Sequence, residues 1–352
     1  MTAPQKAHVL LTETVKKGGC AAKLPAGDLS AALKSLRFRP LPELAVGADT
    51  MDDAALWDLG DDRYLIQTLD FFTPMIDDPH EFGAVAAANA LSDVYAMGGQ
   101  PKTALTILAF PSQVLSLDLL LPLMRGAVEK IEEAGACLAG GHSIDDDTLK
   151  LGFSVAGFVK KGEAWKNSGA KPGDTLILTK ALGTGTISSA LKNKQADPDW
   201  IRAAIASMTQ LNRAPELLRG LTVNAATDIT GFGLASHALH ISRASQVNME
   251  VMASRLPILP GAVDCLERKV LNRAHRTNAD YVKEEVAYES GISEAMRWLT
   301  VDPQTSGGLL LSVPSEQTDL VLERLRARFP LAAAIGTVKT FSASYPSVRF
   351  TN

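Results

Sequence analysis

The chain has 352 residues, 46% of them hydrophobic and 21% charged, with a formal net charge of -4. Its length exceeds the size at which one core keeps growing, so two domains are expected, and the composition is that of a folded globular protein rather than a disordered or fibrous one. The charge balance, with no basic run longer than Lys160-Lys161, excludes a nucleic-acid footprint, and no apolar run is long enough to span a bilayer.

Residues 1–45 are mixed and rich in Gly, Pro and Lys, which reads as a loosely held leader. They lack a basic start followed by a long apolar stretch, so no signal peptide is expected. The three cysteines, Cys20, Cys137 and Cys265, have no CxxC spacing; they fit a reducing cytoplasm and give no sign of a disulfide framework or zinc site. Within the leader, Gly18-Gly19-Cys20-Ala21-Ala22-Lys23 sets one thiol and one amine three residues apart. The glycines permit close approach to a ligand, and a nearby lysine favours thiolate over thiol. The alternative is a frayed terminus with an incidental cysteine.

Residues 54–59 and 64–69 read as two strands of a hairpin around Gly60-Asp61-Asp62, ending at Asp70. Residues 82–97 read as a helix with an apolar stripe of Phe82, Val85, Ala88, Leu91 and Tyr95, stopped by Gly98-Gly99. Asn89 and Asp93 are four apart and share a second, polar face. A strand over 103–110, a helix from Ser116 that Pro122 kinks or starts, and strands over 136–139 and 149–159 complete an α+β domain. The polar stretch 160–173 marks a boundary, giving a leader over 1–45, an amino-terminal domain over 46–165 and an α/β-type domain over 166–352. In the last, strands at 175–179, 308–313 and 332–338 alternate with helices near Ile187 and over 200–221, 234–244 and 317–329.

Aspartates recur where elements begin or end: Asp52-Asp53, Asp70, Asp93 and Asp228. Carboxylates without cationic neighbours suit magnesium, and magnesium suits a nucleoside triphosphate because it bridges phosphate oxygens. Each aspartate taken singly is equally a cap or turn residue. Gly183-Thr184-Gly185 and Gly231-Phe232-Gly233 lack the third glycine of a dinucleotide-binding turn, and there is no GxxxxGK[ST] loop. The turn-rich stretch Asp302-Pro303-Gln304-Thr305-Ser306-Gly307-Gly308 is either structural or lines a phosphate site. His142, in Gly140-Gly141-His142-Ser143, follows a strand in a loop position that serves either a ligand or its own backbone. His237 and His240 read as packing or surface residues, and Asp145-Asp146-Asp147 as a solvated turn.

In order, these segments resemble the selenophosphate synthetases, or selenide, water dikinases. The resemblance rests on GGCxxK at 18–23, DDAA at 52–55, DFFTP at 70–74, NALSDVYAMGGQP at 89–101, AGGHSI at 139–144, TDITGFGL at 227–234 and DPQTSGGLL at 302–310. It implies the two-domain fold of aminoimidazole ribonucleotide synthetase: an amino-terminal α+β domain that forms a β-barrel in a homodimer, and a carboxy-terminal α/β domain. It implies ATP as substrate with magnesium and often potassium. The products are selenophosphate, AMP and phosphate, made for selenocysteine and selenouridine synthesis in the cytoplasm; a transient selenium-delivery protein is a further expected partner. Residue by residue, Cys20 and Lys23 fall on the family's reactive positions. Asp53, Asp93 and Asp228 match its metal ligands. Asp53, Asp70, Asn89, Asp93, Gly140, Gly141, His142, Ser143 and Lys23 match segments at the nucleotide. Two departures stand out: Ala22 replaces the second cysteine of many relatives, and Thr68-Leu69-Asp70 replaces TTD. Alternatives are a kinase or ligase of the same superfamily that makes ADP, and a nucleotide-binding regulator without catalysis.

Overall fold

The computed structural model of the chain describes residues 10–23, 41–47 and 51–352. Strands β1 (Leu44–Val46), β2 (Ala55–Asp58), β3 (Arg63–Phe72), β4 (Gln100–Phe110), β5 (Cys137–Asp145) and β6 (Lys150–Lys160) form one sheet in the order β1-β2-β3-β6-β4-β5. Alternation along β3 sends Ile66 and Phe72 into the core and leaves Leu69 and Phe71 on the other face, 50% and 49% exposed. Helices Pro79–Ala96 and Leu120–Glu133 pack together against the core face. The first is started by Asp78, whose Oδ1 accepts from the Glu81 amide at 2.8 Å, with Pro79 as its first residue.

That helix is buried all round from residue 82 to 96, not along one stripe. It lies between the first sheet, the second helix and the edge of the carboxy-terminal domain, so its polar face, Asn89 and Asp93, is interior as well.

The second sheet has seven strands: β7 (Thr175–Leu178), β8 (Ala225–Asp228), β9 (Val247–Met252), β10 (Val286–Tyr288), β11 (Leu309–Val313), β12 (Ala333–Thr340) and β13 (Val348–Thr351). Their order is β10-β13-β9-β12-β7-β11-β8, so β8, which ends at Asp228, is the edge beside helix Pro79–Ala96. Among the described residues no helix is long and apolar enough to cross a membrane.

Several elements differ from the sequence reading. The strand expected to end at Asp70 runs on to Phe72, pairing Asp70 with Phe153 of β6. The expected helix over 200–221 is two helices, Pro198–Thr209 and Ala214–Leu217, because Gln210 turns extended at the first one's end. Strands β8, β9, β10 and β13 have no counterpart among the expected elements. Pro122 falls in the first turn of its helix, where its missing amide costs nothing, so it marks the start and makes no kink. Residues 10–23 are packed rather than loose, with Leu11, Val15 and Cys20 buried.

Candidate active site

The segment around Cys20 is pinned from three sides. The Gly19 amide donates to the Thr73 carbonyl at 2.8 Å, and Gly19–Ala22 closes a 3₁₀ turn. The Cys20 amide donates to Thr305 Oγ1 at 3.2 Å, and its Sγ donates to Asn89 Oδ1 at 3.4 Å. Across from it, a Cβ on Gly231 would lie 2.7 Å from the Cys20 carbonyl oxygen, so a side chain there would push the turn out of place. Cys20 is consequently 1% exposed.

Asn89 is the junction. The Ser306 amide can only donate, and it meets Asn89 Oδ1 at 2.8 Å, which fixes the orientation of the side-chain amide. Asn89 Nδ2 then donates to Asp70 Oδ2 at 2.6 Å, and Lys23 Nζ stands 3.5 Å from Asp70 Oδ1. Thiol, amide, carboxylate and amine thus form one connected array across residues far apart in sequence.

Three more carboxylates face the same region. Asp53 Oδ1 accepts from Thr227 Oγ1 at 3.0 Å, Asp228 Oδ2 accepts from Ser92 Oγ at 2.6 Å, and Asp93 accepts from the Thr68 hydroxyl. Burial raises all three above the ordinary carboxylate range. Mutual repulsion adds to this: Asp228 acts on Asp53, and Asp70, Asp228 and Asp53 act on Asp93. Asp228 is moved least, to about 6, because the Ser92 hydrogen bond and Lys23 oppose its burial. Burial works against the Lys23 ammonium, but Asp70, Cys20, Asp93 and Asp228 outweigh it and raise its pKa.

The thiol departs from expectation. Lys23 does pull Cys20 toward thiolate, but burial is the larger effect and, with Asp70, pushes the thiol up to about 12. Cys20 is therefore a protonated donor to Asn89 in this structure, not a resident thiolate.

Asp53 Oδ2 is buried without a hydrogen-bond partner, so this carboxylate keeps a hard oxygen free for a cation. Its other oxygen is held by a relay that sequence reading missed. The Thr230 amide donates to His237 Nε2 at 3.2 Å, which leaves the proton on Nδ1, 3.3 Å from Thr227 Oγ1, and the Thr227 hydroxyl in turn donates a hydrogen bond to Asp53 Oδ1. His237 is thus neither surface nor mere packing. Burial, then His240 and Lys23, keeps it neutral by lowering its pKa. Among the described residues no three acidic, His or Cys groups converge on one point to form a finished metal cage. Magnesium does not need such a cage, because it keeps several waters and binds through one or two carboxylates plus substrate phosphates. Asp52 is turned away, its Oδ1 accepting from the Asn167 amide at 2.6 Å.

Gly140, Gly141, His142 and Ser143 lie elsewhere than expected: not in a loop after a strand but within β5, the exposed edge strand. Gly141 has φ 151°, and a Cβ there would meet the Thr106 carbonyl oxygen at 2.4 Å. Register places Asp70, Phe153, Thr106 and Gly141 in one row across β3, β6, β4 and β5. Gly141 is therefore three strand spacings, ~14 Å, from Asp70. Gly140, Gly141, His142 and Ser143 thus stand apart from Cys20 and the carboxylates, at the far edge of the sheet.

The loop 302–308 is both structural and site-forming. Gln304 Oε1 accepts from the Gly183 and Thr184 amides at 3.1 Å each, and this anchoring presents Thr305 to Cys20 and Ser306 to Asn89. Lys180, also missed, is buried and donates to the Gln210 and Ser306 carbonyls at 2.6 and 3.0 Å; burial lowers its pKa to about 7.

The family model described as AIR synthase related protein, N-terminal domain, matches residues 51–159, and its C-terminal counterpart matches residues 171–342. The selenide, water dikinase of Bdellovibrio bacteriovorus is 49% identical over 334 residues, covering 94% of this chain and 95% of that relative. The chain belongs to the selenide, water dikinase family. Another member of the family, from Nitrosomonas eutropha, is 47% identical over 342 residues, 95% of this chain and 96% of its own. Solved structures agree on the fold. A thiamine-monophosphate kinase from Stenotrophomonas maltophilia superposes with a TM-score of 0.64 at 21% identity, covering 94% of this chain and 96% of that one. Hydrogenase maturation protein HypE, solved in complex with ATP, gives 0.61 at 20% identity, covering 97% and 94%. Both fall where likeness speaks for architecture alone, which here is the two-domain fold of aminoimidazole ribonucleotide synthetase.

Proposed function

We propose that this chain makes selenophosphate from ATP, selenide and water, releasing AMP and phosphate, with Cys20 and Lys23 at the reacting end of the array. One phosphoryl group of ATP passes to selenium and a second to water, which balances the products. The observation that carries the reading is the connected set Cys20, Asn89, Asp70 and Lys23 beside the three buried aspartates. A thiol and an ammonium are thereby aimed at the place where carboxylates would hold a triphosphate.

Asp53, Asp93 and Asp228 would hold magnesium, one or two carboxylates to each ion: their oxygens are hard donors, Asp53 Oδ2 has no other partner, and a divalent cation offsets the burial and repulsion that raise their pKa values. When bound, magnesium neutralises phosphate oxygens and so lowers the barrier to phosphoryl transfer. Lys23, 35% exposed at its side chain, adds positive charge where negative charge develops. Cys20, its S–H donated to Asn89, presents its sulfur beside the selenide position and does not attack; near neutral pH selenide is mainly HSe⁻, so positioning matters more than a general base. The 10–23 segment, packed over the site, excludes bulk water from the phosphoryl acceptor.

The nucleotide would run along the row from Asp70 toward Gly140, Gly141, His142 and Ser143, a span that fits a nucleoside triphosphate. In this reading residues 1–45 bring the reactive pair, 46–165 bind ATP and dimerise, and 166–352 complete the phosphate side. The open edge of β5 and the exposed Leu69, Phe71, Leu105 and Ile144 favour a homodimer through the first sheet. A selenium-delivery protein would be a transient partner. The test is Cys20→Ser: selenide-dependent AMP formation falls by at least tenfold while ATP binding, followed by thermal stabilisation, is unchanged. Full activity in that variant would remove the thiol from the reaction.

A further inference from the structure

On the far side of the Cys20 turn lies a cavity of about 410 Å³, between the 12–21 segment and helices Thr184–Lys192 and Arg273–Val282. Gly18 and Ala21, which flank the Gly19-Cys20 pair, form part of its wall, and so does Thr305, the acceptor of the Cys20 amide. Cys20 does not line it; its Sγ points the other way, to Asn89. One turn of chain therefore separates this cavity from the thiol.

The lining holds four cations, Lys16, Lys17, Lys192 and Arg273, and no carboxylate. Lys16, Lys17 and Arg273 have no acidic partner among the described residues, and Lys192 donates only to the Val15 carbonyl. In a chain of net charge -4, four unpaired cations around one concavity is an arrangement that repels itself and is relieved by an anion. A triphosphate with its magnesium belongs at the carboxylates, so an anion here binds without metal. The rest of the wall includes Met75, Leu271 and Pro303, a soft apolar surface that suits a polarisable, weakly hydrated anion better than a phosphate.

We propose that this cavity binds hydrogen selenide, holding it behind the turn that carries Cys20, on the side away from Asn89 and the carboxylates. The assignment rests on the selenophosphate-forming reading for its ligand. It gives that reading separate binding places for the two substrates, so bound ATP does not occupy the selenide cavity.

The test is the double variant Lys17→Glu/Arg273→Glu. Neither side chain belongs to the array above, and glutamate suits the first position of the helix that Arg273 begins, so the fold is kept. The KM for selenide rises by about tenfold, the size of an electrostatic steering effect, while kcat and the KM for ATP stay within twofold. Independently of turnover, hydrogen selenide raises the unfolding temperature of the metal-free, ATP-free wild type, and the double variant loses that shift. A selenide KM within twofold of wild type with the thermal shift retained overturns the assignment. A parallel rise in the KM for ATP, or a change confined to inhibition by inorganic phosphate, overturns it too. Wild-type protein that is stabilised by selenide but forms no AMP would instead refute the functional reading and leave the cavity standing.

Discussion

Replacing Asn89 by alanine removes the junction on which the array depends. Three hydrogen bonds are lost: one accepted from the Ser306 amide at 2.8 Å, one donated to Asp70 at 2.6 Å, and the weaker one accepted from Cys20 Sγ at 3.4 Å. A neutral bond contributes about 1 kcal/mol net and one to a charged group about 2 kcal/mol, and a buried amide left unpaired adds about 1 kcal/mol more. The expected destabilisation is therefore about 4 kcal/mol, read from urea unfolding at constant m-value. Asn89→Asp keeps the volume and the acceptor to Ser306 but sets a fifth carboxylate against Asp53, Asp70, Asp93 and Asp228. It should be less destabilised at pH 5 than at pH 8, whereas Asn89→Ala should show no such difference. Both variants should expose Cys20 to alkylation much faster than wild type. A loss below about 1 kcal/mol in Asn89→Ala, with alkylation unchanged, would refute the claim that Asn89 ties the thiol to the carboxylates.

Two other outcomes follow from the carboxylates and the histidine relay. Because Asp53, Asp93 and Asp228 have raised pKa values when folded, the unfolded chain binds fewer protons than the folded one above about pH 4, so their contribution to stability declines as pH rises through about 6 and beyond. Magnesium should reverse that decline, raising the unfolding temperature more at pH 8 than at pH 5 and releasing protons at the lower pH; equal stabilisation at both values, or no change in this behaviour on Asp53→Asn, would contradict it. His237→Phe breaks the path from Thr230 to Asp53 and should weaken magnesium affinity by ~10–100-fold, the range for partners that orient a ligand, with Asn partly restoring it by replacing the Nδ1 donor. A magnesium dependence unchanged in His237→Phe would reduce the residue to packing.

Much of the site was legible in the sequence because aspartates at element ends and a Cys/Lys pair are chemically distinctive residue types. Local pattern also located the first helix and most strands of the first sheet. What escaped it depends on contacts made across the chain. Nothing near Cys20 announces that Thr305 will hold it, 285 residues away, or that Ser306 will reach Asn89 over 217 residues. Those contacts turned a glycine-bearing leader into a buried turn, where burial outweighs the expected pull of Lys23 on the thiol. Gly140-Gly141 reads as a loop because glycines punctuate chains; here positive φ and the closeness of Thr106 demand them inside an edge strand. The Leu69 departure from TTD is resolved by strand alternation, which turns that side chain out of the site, so the missing hydroxyl costs the array nothing. His237 had a signal, its spacing after Asp228 on a helix that begins at Gly233, but its role depends on the tautomer that Thr230 imposes.

The measurement that bears most directly on the function is phosphorus NMR of the protein with ATP, magnesium and selenide. The account predicts AMP, orthophosphate and a new phosphorus resonance split by coupling to selenium, in equal amounts and absent without selenide. ADP together with a phosphorylated organic acceptor, or ATP left intact when selenide is supplied, would contradict it.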